Sequence, residues 1–322
     1  MGKVIGFHKY SLKRTINKIR NRMPKLHPFA IIGIILLATF LTFLWNELRD
    51  KDLDAIDDEL QVASYMEEVI YDSIYKGIAN HQEQITISME SYDGNNSEDI
   101  FSQFQKVRTE HPEFFWVTGG ANLEGKTIGG ITNYTLTIET RCDISEVPQM
   151  EQELESIVTQ IINGANANCG TDYEKALFVH DTIIHNCEYD EDTYYQNMSD
   201  PYDGNSLAYS AYGCLVNRNA VCEGYTKAYM LIMNRMGIEC GYVRGTATNS
   251  IGTTGLHSWN YIKLDEDYYM VDVTWDDPVG TGKNICCYDY FCVTTEMISV
   301  DHQIETPQEV PLCCGTKYVG IK

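Results

Sequence analysis

The stretch AVCEGYTKAYMLIMNRMGIEC, residues 220–240, decides the fold because it places a cysteine at the start of an amphipathic helix. The apolar residues of this helix recur at helical spacing, at Ala228, Leu231, Ile232 and Met236. Such a face packs against a core. Cys222 lies at or just before the first turn, where unpaired backbone N–H groups and the helix dipole favour a thiolate and can hold an oxyanion. Cys240, at the far end, is typical of a structural cysteine.

A β-hairpin is predicted downstream, from the segments HSWNYIKL, 257–264, and YYMVDVTW, 268–275. A two-residue turn between them puts Trp259 opposite Asp272, with His257 diagonal to Asp272 on the same face. Diagonal neighbours lie about 7–8 Å apart at the backbone, which a histidine and an aspartate can bridge. Cys222, His257 and Asp272 are therefore candidates for nucleophile, general base and then acid, and imidazole orienter. The sequence alone does not bring Cys222 to this hairpin.

The other histidines that follow residue 28 have no comparable strand and carboxylate context: His81, His111, His180, His185 and His302. For His180 and His185, which lie on a predicted helix, we expect a packing role. The acidic, tyrosine-containing segment 189–206 is interpreted first as a solvated loop and second as the rim of a substrate site.

Charge is unevenly distributed along the 322 residues. Residues 1–28 contain eight Lys and Arg and no Asp or Glu, whereas the rest has 16 basic against 46 acidic residues. The acidic body would repel phosphates, which argues against nucleic acid as a partner. The composition is otherwise that of a globular protein, with 43% hydrophobic residues and enough length for a sizeable core.

An apolar run, FAIIGIILLATFLTFLW, follows the basic segment at residues 29–45. It has no charge, it is just long enough to span a bilayer, and Trp45 lies where an interfacial aromatic residue is favoured. We predict a transmembrane helix at 29–46, a single pass with a cytoplasmic N-terminus and an extracellular C-terminal domain. A cleaved signal peptide with a secreted domain is the alternative.

All eleven cysteines follow this segment, which fits an oxidising compartment. The odd count leaves at least one thiol without an intramolecular partner, and Cys222 is the candidate for that free thiol. The runs CCYDYFC, 286–292, and CC, 313–314, match no zinc spacing, so disulfides are expected there. We predict no metal and no cofactor.

The order of secondary structure indicates an α+β protein. Residues 47–77, 97–109, 145–164 and 171–190 predict helices, and residues 83–90, 112–117 and 130–142 predict strands. A capping box from Thr171 to Glu174 opens the fourth helix. The predicted organisation is a basic N-terminus at 1–28, a transmembrane helix at 29–46, a helical and α+β region at 47–145, and a further domain at 146–322.

The blocks AVCEGYTKAYMLIMNRMGIEC, VRGTA, HSWNYIKL and YYMVDVTWDDP, in this order, resemble the transglutaminase-like cysteine superfamily, in its bacterial branch of membrane-anchored or secreted proteins. The resemblance covers residues 172–280, and the family's Cys, His and Asp fall on Cys222, His257 and Asp272. It implies a papain-like α+β core in which the Cys-bearing helix packs on an antiparallel sheet.

The resemblance also implies thiol acyl chemistry, in which Cys222 attacks an amide carbonyl and forms a thioester. Water would complete hydrolysis, as in a peptidase or deamidase, and an amine would complete crosslinking. Hydrolysis of peptide or side-chain amides is the preferred expectation, and an inactive surface-binding domain is the alternative from another class. The expected partner is a protein or peptide substrate at the cell surface. The candidate substrate contacts are Gly224, Tyr225, Trp259 and Tyr212.

Overall fold

The computed structural model describes residues 65–90, 96–196, 204–277 and 286–321. The predicted basic N-terminus, 1–28, and transmembrane helix, 29–46, lie outside these ranges. In the part of the chain that is described, no helix combines the length and the apolar character needed to cross a membrane. Residues 67–322 form one compact unit, and the predicted domain boundary near residue 145 stays a prediction.

The first part of this unit is a small α+β arrangement. It consists of α1 (65–79), β1 (Gln84–Glu90), α2 (Asn96–Glu110), β2 (Val117–Ile128) and β3 (Ile131–Thr140). The three strands form an antiparallel sheet in the order β1-β3-β2. The predicted elements at 83–90, 97–109 and 130–142 are confirmed to within about two residues at each end.

The predicted strand at 112–117 is wrong. Phe115 and Trp116 are buried in the core as part of a connecting turn, and β2 starts only at Val117. The rest of β2 was missed because its glycines and polar residues do not alternate with apolar ones. Its pairing with β3 is set by the turn at Gly129 and Gly130, whose φ angles of 62° and 86° are open to glycine at no steric cost.

Two helices cover the next segment, α3 (Val147–Asn168) and α4 (Asp172–Asn186). The predicted end of α3 at Gly164 is wrong, because the helix continues for another turn there and Gly164 lies against the Phe178 ring of α4. The capping box of α4 is confirmed, since the Glu174 N–H donates to Thr171 Oγ1 and the Thr171 N–H donates to Glu174 Oε2.

The last part contains the predicted core. Its elements are β4 (Glu188–Tyr189), α5 (Glu191–Gln196), β5 (Asn219–Ala220), α6 (Cys222–Arg235), β6 (Cys240–Thr248), β7 (Thr254–Leu264), β8 (Asp267–Val271), β9 (Phe291–Val293), α7 (Thr295–Ile298) and β10 (His302–Ile304). Five of the strands form an antiparallel sheet in the order β10-β6-β7-β8-β9. Helix α6 packs on β6 and β7. A cysteine-bearing helix on an antiparallel sheet is therefore confirmed.

The predicted hairpin is β7 and β8. Leu264 pairs with Asp267 and Asn260 with Val271, so the turn has the two residues that the predicted placement of His257 and Asp272 on one face requires. Asp265 makes the turn with a φ of 56°, a conformation that Asp tolerates better than most residues. The same register carried one residue further puts Trp259 opposite Asp272.

Candidate active site

Cys222 is the first residue of α6, and the extended residue Val221 precedes it as the N-cap. A residue at this position has no intrahelical acceptor for its N–H, and it lies at the positive end of the helix dipole. The Cys222 side chain is 2% exposed. The sequence argument for the position of this thiol is thus confirmed by the helix boundary.

His257 and Asp272 meet across the hairpin. His257 Nε2 lies 2.6 Å from Asp272 Oδ2, and both residues are buried. Interaction with the Cys222 thiol is among the causes that raise the pKa of His257. Because Asp272 occupies Nε2, Nδ1 is the ring nitrogen left for the thiol. The imidazole therefore lies between the thiol of α6 and the carboxylate that follows β8.

The Asp272 carboxylate accepts four hydrogen bonds, which is its full capacity. Oδ1 accepts from the backbone N–H groups of Thr274 and Trp275, at 3.0 and 3.2 Å. Oδ2 accepts from His257 and from His302, the latter at 3.0 Å. Burial by itself would raise the pKa of Asp272, but the charges and hydrogen bonds of the two imidazoles hold it well below its usual range. Asp272 is a fixed anion in this site.

The charge of Asp272 acts in turn on His257. Burial disfavours the imidazolium, but the Asp272 charge, its hydrogen bond and the Cys222 thiol outweigh burial and raise the pKa of His257 to about 10. A histidine that readily holds a proton beside a thiol can take the thiol proton and later return it to a leaving group. We call Cys222, His257, Asp272 and His302 the thiol cluster.

His302 is the member that the sequence argument missed. Its assignment as a histidine without a strand and carboxylate context is wrong, because it opens β10 and contacts Asp272. Strand β10 pairs with β6, where His302 is opposite Ala247. Gly245 permits this approach, since a Cβ there would collide with the Gln303 carbonyl oxygen. The paired residues are more than fifty positions apart in the chain, and no local sequence pattern predicts their pairing.

Ligand atoms of three buried residues lie within 4.8 Å of one another, close enough for one metal ion: His257, Asp272 and His302. The two imidazoles approach the same carboxylate oxygen at 2.6 and 3.0 Å, which are hydrogen-bond distances. The second nitrogen of each ring also has a partner, Cys222 or Asp301. The contacts fit a hydrogen-bonded chain, and we assign no metal to it.

A cleft of about 310 Å³ opens beside His257. It is lined by residues from β4, α5, the end of β6, the following turn, the start of β7 and the segment after β8: Tyr189, Tyr194, Ala247, Asn249, Thr253, Gly255, Leu256, His257, Thr274, Trp275 and Asp277. Tyr189 and Tyr194 belong to the segment first interpreted as a solvated loop. Their position favours the second interpretation, in which this segment is the rim of a site.

The predicted substrate contacts lie at different places. The Trp259 ring stacks on His257, with 5.9 Å between the ring centroids and 21° between the planes. Tyr225 is buried, and its hydroxyl donates to Asp277 Oδ2 at 2.7 Å. The Tyr212 hydroxyl donates to Glu153 on α3, and its ring stacks on Phe115.

The fourth predicted contact, Gly224, has a packing role in this structure. A Cβ there would meet the Ala208 carbonyl oxygen and the Ala220 side chain, so the close approach is to the chain's own backbone. None of these four residues lines the cleft as defined by the described residues. Their contact with a substrate stays a prediction.

An ion cluster lies behind the thiol and was also missed. Glu223 Oε1 lies 2.6 Å from Lys227 Nζ and 3.3 Å from the Arg108 guanidinium of α2, and all three side chains are buried. Burial lowers the pKa of Lys227 to about 8, although Glu223 opposes this shift. Through this cluster the first α+β arrangement contacts the first turn of α6.

His180 has a pair of carboxylate partners on the α4 side of the domain. Its ring is fully buried, with Nδ1 2.9 Å from Asp181 and Nε2 3.2 Å from Asp276. We call these three residues the α4 cluster. The expected packing role of His180 is therefore accompanied by two ionic contacts. His185 contacts the Cys286 thiol, with 3.7 Å between Nδ1 and Sγ.

All eleven cysteines are free thiols in the structure. The expected disulfides in the two C-terminal runs are thus not formed in it. Cys292 and Cys313 are buried, and burial raises the pKa of both thiols. They behave as small apolar residues of the core.

Some solved structures resemble this chain at a low level of similarity. A comparison with curated proteins gave no match. Among solved structures, a TGase is similar at 13% identity and a TM-score of 0.33, over 62% of this chain and 53% of that one. A proposed cysteine protease from Cytophaga hutchinsonii is similar at 14% identity and a TM-score of 0.29, over 52% of this chain and 66% of that one.

These structural likenesses are low, and the chain spans only about half the length of the TGase. The likeness to a family rests on a sequence model, which matches residues 159–273 as the transglutaminase-like superfamily. The matched range contains Cys222, His257 and Asp272 and ends before Asp276 and His302. Residues 159–273 of this chain are thus similar to the transglutaminase-like superfamily.

Proposed function

We propose that this domain is a thiol enzyme that acts on peptide or side-chain amide bonds through a thioester on Cys222. The observation that carries the proposal is the position of His257, which joins the Cys222 thiol on one side to the Asp272 carboxylate, at 2.6 Å, on the other. In this proposal His257 takes the thiol proton, and Asp272 fixes the ring and stabilises its charged form.

The first step follows from that arrangement. The Cys222 sulfur attacks the amide carbonyl carbon, and the backbone N–H groups at the start of α6 are placed to hold the oxyanion. His257 then gives its proton to the leaving nitrogen as the C–N bond breaks. The products are a thioester on Cys222 and free ammonia or amine.

The second step decides the reaction class. Water, deprotonated by His257, gives hydrolysis, so the protein would be a peptidase or a deamidase, and we favour this outcome. An amine in place of water gives a crosslinking transglutaminase. A domain that binds a surface ligand without reaction is the alternative from a different class.

A product survey tests the proposal. The purified full-length chain is incubated with a peptide library and an amine donor, and mass spectrometry scores cleavage, deamidation and crosslinking. Cys222→Ala is the control because it removes only the sulfur. Products that form with the wild type and disappear with Cys222→Ala are expected, and their type assigns the reaction. The acyl-transfer proposal fails if Cys222 is blocked in a disulfide in the mature protein, or if its alkylation near neutral pH does not depend on His257.

We also propose that the domain lies outside the cell and is tethered by residues 29–46. The basic flank at 1–28, the uncharged run and the acidic body support this topology. Its expected substrates are then proteins or peptides at the cell surface. Impermeant thiol reagents added to intact cells should label exposed Cys314, and labelling only after lysis would contradict the topology.

A further inference from the structure

His302 is held between two carboxylates. Its Nε2 lies 3.0 Å from Asp272 Oδ2, its Nδ1 lies 2.6 Å from Asp301 Oδ1, and the side chain is fully buried. An ionised carboxylate only accepts hydrogen bonds, so the Nε2 of His302 donates to Asp272 Oδ2. His302 therefore presents a hydrogen-bond donor to the same carboxylate oxygen that His257 contacts.

The ring of His302 is fixed from several directions. Asp301 is itself held by the Tyr290 hydroxyl, which donates to Asp301 Oδ2 at 2.7 Å. The Trp275 and Trp259 rings contact the imidazole edge to face, at centroid distances of 4.5 and 4.9 Å. A donor held this firmly can fix the group that it contacts.

That group is the carboxylate oxygen that serves His257. Without His302, Asp272 would keep the two backbone N–H groups on Oδ1 and only His257 on Oδ2, so Oδ2 would lose the donor that fixes it against tilting of the carboxylate. A tilted carboxylate would no longer hold Nδ1 of His257 toward Cys222. We propose that His302 is a positioning residue of the thiol cluster, which holds Asp272 in the orientation that aligns His257 with Cys222.

This inference rests on the proposed function, because alignment of His257 matters only if Cys222 reacts. Nothing in the family match includes His302, since the matched residues end at 273. The positioning role is argued only from the contacts of His302, the first residue of β10.

The groups that share this environment come from every element packed around it. The ionisable side chains that face His257, Asp272 or His302 among the described residues are Cys222 from α6, Tyr189 from β4, Asp276 after β8, Tyr290 before β9 and Asp301 before β10. All of them stay in place in the variants below except where Asp301 is itself changed.

The test measures the reactivity of Cys222 directly. Iodoacetamide is added to the purified full-length chain across pH 5–10, and mass spectrometry follows alkylation of the peptide that contains Cys222. In His302→Phe we expect the rate at neutral pH to fall about 10-fold or more, because a hydrogen bond to a charged group is lost. The dependence of the rate on pH should also differ from that of the wild type.

His302→Gln is the conservative variant. Its amide can donate to Asp272, so we expect a rate within about threefold of the wild type, the loss expected from a neutral in place of a charged hydrogen bond. If His302→Gln behaves like His302→Phe, a donor does not suffice and the positioning role is wrong. An unchanged profile in His302→Phe also overturns it.

His180→Gln is the matched control. His180 is equally buried and also lies between two carboxylates, but its ring has no contact with Cys222 or His257 among the described residues. We expect it to lose stability without a shift of the Cys222 profile. Equal shifts in the two histidine variants would mean a general packing effect, and the proposal would fail.

Two further measurements keep the outcome decisive. Thermal unfolding shows whether each variant folds. If His302→Phe does not, Asp301→Asn removes the negative charge that faces Nδ1 at a partly exposed carboxylate, weakens its hold on the ring, and should shift the profile in the same direction. The proposed function fails separately, if wild-type alkylation of Cys222 is slow and does not change in His257→Ala. In that case a positioning role for His302 fails together with the proposed function. If the alkylation rate of Cys222 depends on His257 but not on His302, only the positioning role is refuted.

Discussion

The thiol cluster and the α4 cluster are two solutions for a buried histidine in one domain. In each, an imidazole has two acidic partners: Asp272 and Asp301 hold His302, while Asp181 and Asp276 hold His180. The carboxylates Asp272 and Asp276 even come from one turn, in which the Asp276 N–H donates to the Asp272 carbonyl oxygen at 3.2 Å.

What separates them is the next group along the chain of hydrogen bonds. Asp272 links His302 to a second imidazole, that of His257. His257 in turn interacts with the Cys222 thiol at the start of α6. The His180 ring ends against the aromatic rings of Tyr288 and Phe291. A buried Asp–His pair is therefore not a sign of catalysis by itself. The thiol cluster differs from the α4 cluster in the Cys222 thiol and in the cleft that opens beside His257.

Removal of the imidazole of His257 or of His180 should give the largest difference between the two clusters. We expect His257→Ala to lower turnover by about 10⁴-fold or more, because the base and later acid is lost. His180→Ala should leave turnover nearly unchanged but lower the free energy of unfolding by about 3 kcal/mol, because it leaves Asp276 buried without its imidazole partner. Turnover on a substrate from the product survey and urea unfolding measure the two effects, and a similar loss of turnover in both variants would contradict the distinction.

The paired carboxylates give the next largest contrast. Asp272→Asn should lower turnover by about 10³-fold or more, since an amide does not stabilise the imidazolium and can turn a donor toward His257. Asp276→Asn, four residues away, should act mainly on stability. Single-turnover rates at saturating substrate separate chemistry from binding. If Asp276→Asn lost as much rate as Asp272→Asn, the two clusters would have to act as one.

Local features of this domain could be predicted from the sequence. A two-residue turn was predicted to place His257 and Asp272 on one face of the hairpin, and the register of β7 and β8 confirms that turn. The capping box of α4 and the start of α6 at Cys222 were also within reach, because each depends on residues three or four apart. The prediction that α3 ends at Gly164 was wrong. This glycine lies inside the helix, where the Phe178 ring packs against it.

Long-range contacts could not be predicted in the same way. His302 reaches Asp272 only because β10 joins the far edge of the sheet beside β6. Arg108 reaches Glu223 from a helix more than a hundred residues earlier. Neither pairing leaves a periodic pattern, so the groups that support Cys222 and His257 became visible only in the structure.

The pH dependence of stability should differ between the charged groups of the two clusters. The pKa of His257 is raised to about 10, so its stabilising effect is complete below the unfolded value of about 6.5 and is lost as the pH rises through 10. The hydrogen bonds to Asp181 and Asp276 outweigh burial and also raise the pKa of His180, so its contribution falls in the same direction above about 6.5.

Asp272 has the opposite sign. Its lowered pKa gives a stabilising effect that is present above the unfolded value of about 3.9 and is lost as the pH falls below it. Urea unfolding from pH 3 to 10 should therefore show the stability difference between wild type and His257→Gln shrinking above neutrality. The difference between wild type and Asp272→Asn should shrink on the acid side. Differences that do not change with pH would show that these groups are not ionised in the folded protein as argued.

The smallest expected effect concerns the cleft, which opens beside the thiol cluster. Tyr194 lines the cleft, whereas its neighbour Tyr195 is 63% exposed and does not. An aromatic contact contributes about 1 kcal/mol, so Tyr194→Ala should raise KM about fivefold with little change in kcat. Tyr195→Ala is the matched control, and its KM should stay at the wild-type value. Steady-state kinetics on one peptide substrate measures both. Equal KM values for the two variants would argue against a substrate contact at α5 and against the interpretation of segment 189–206 as the rim of a site.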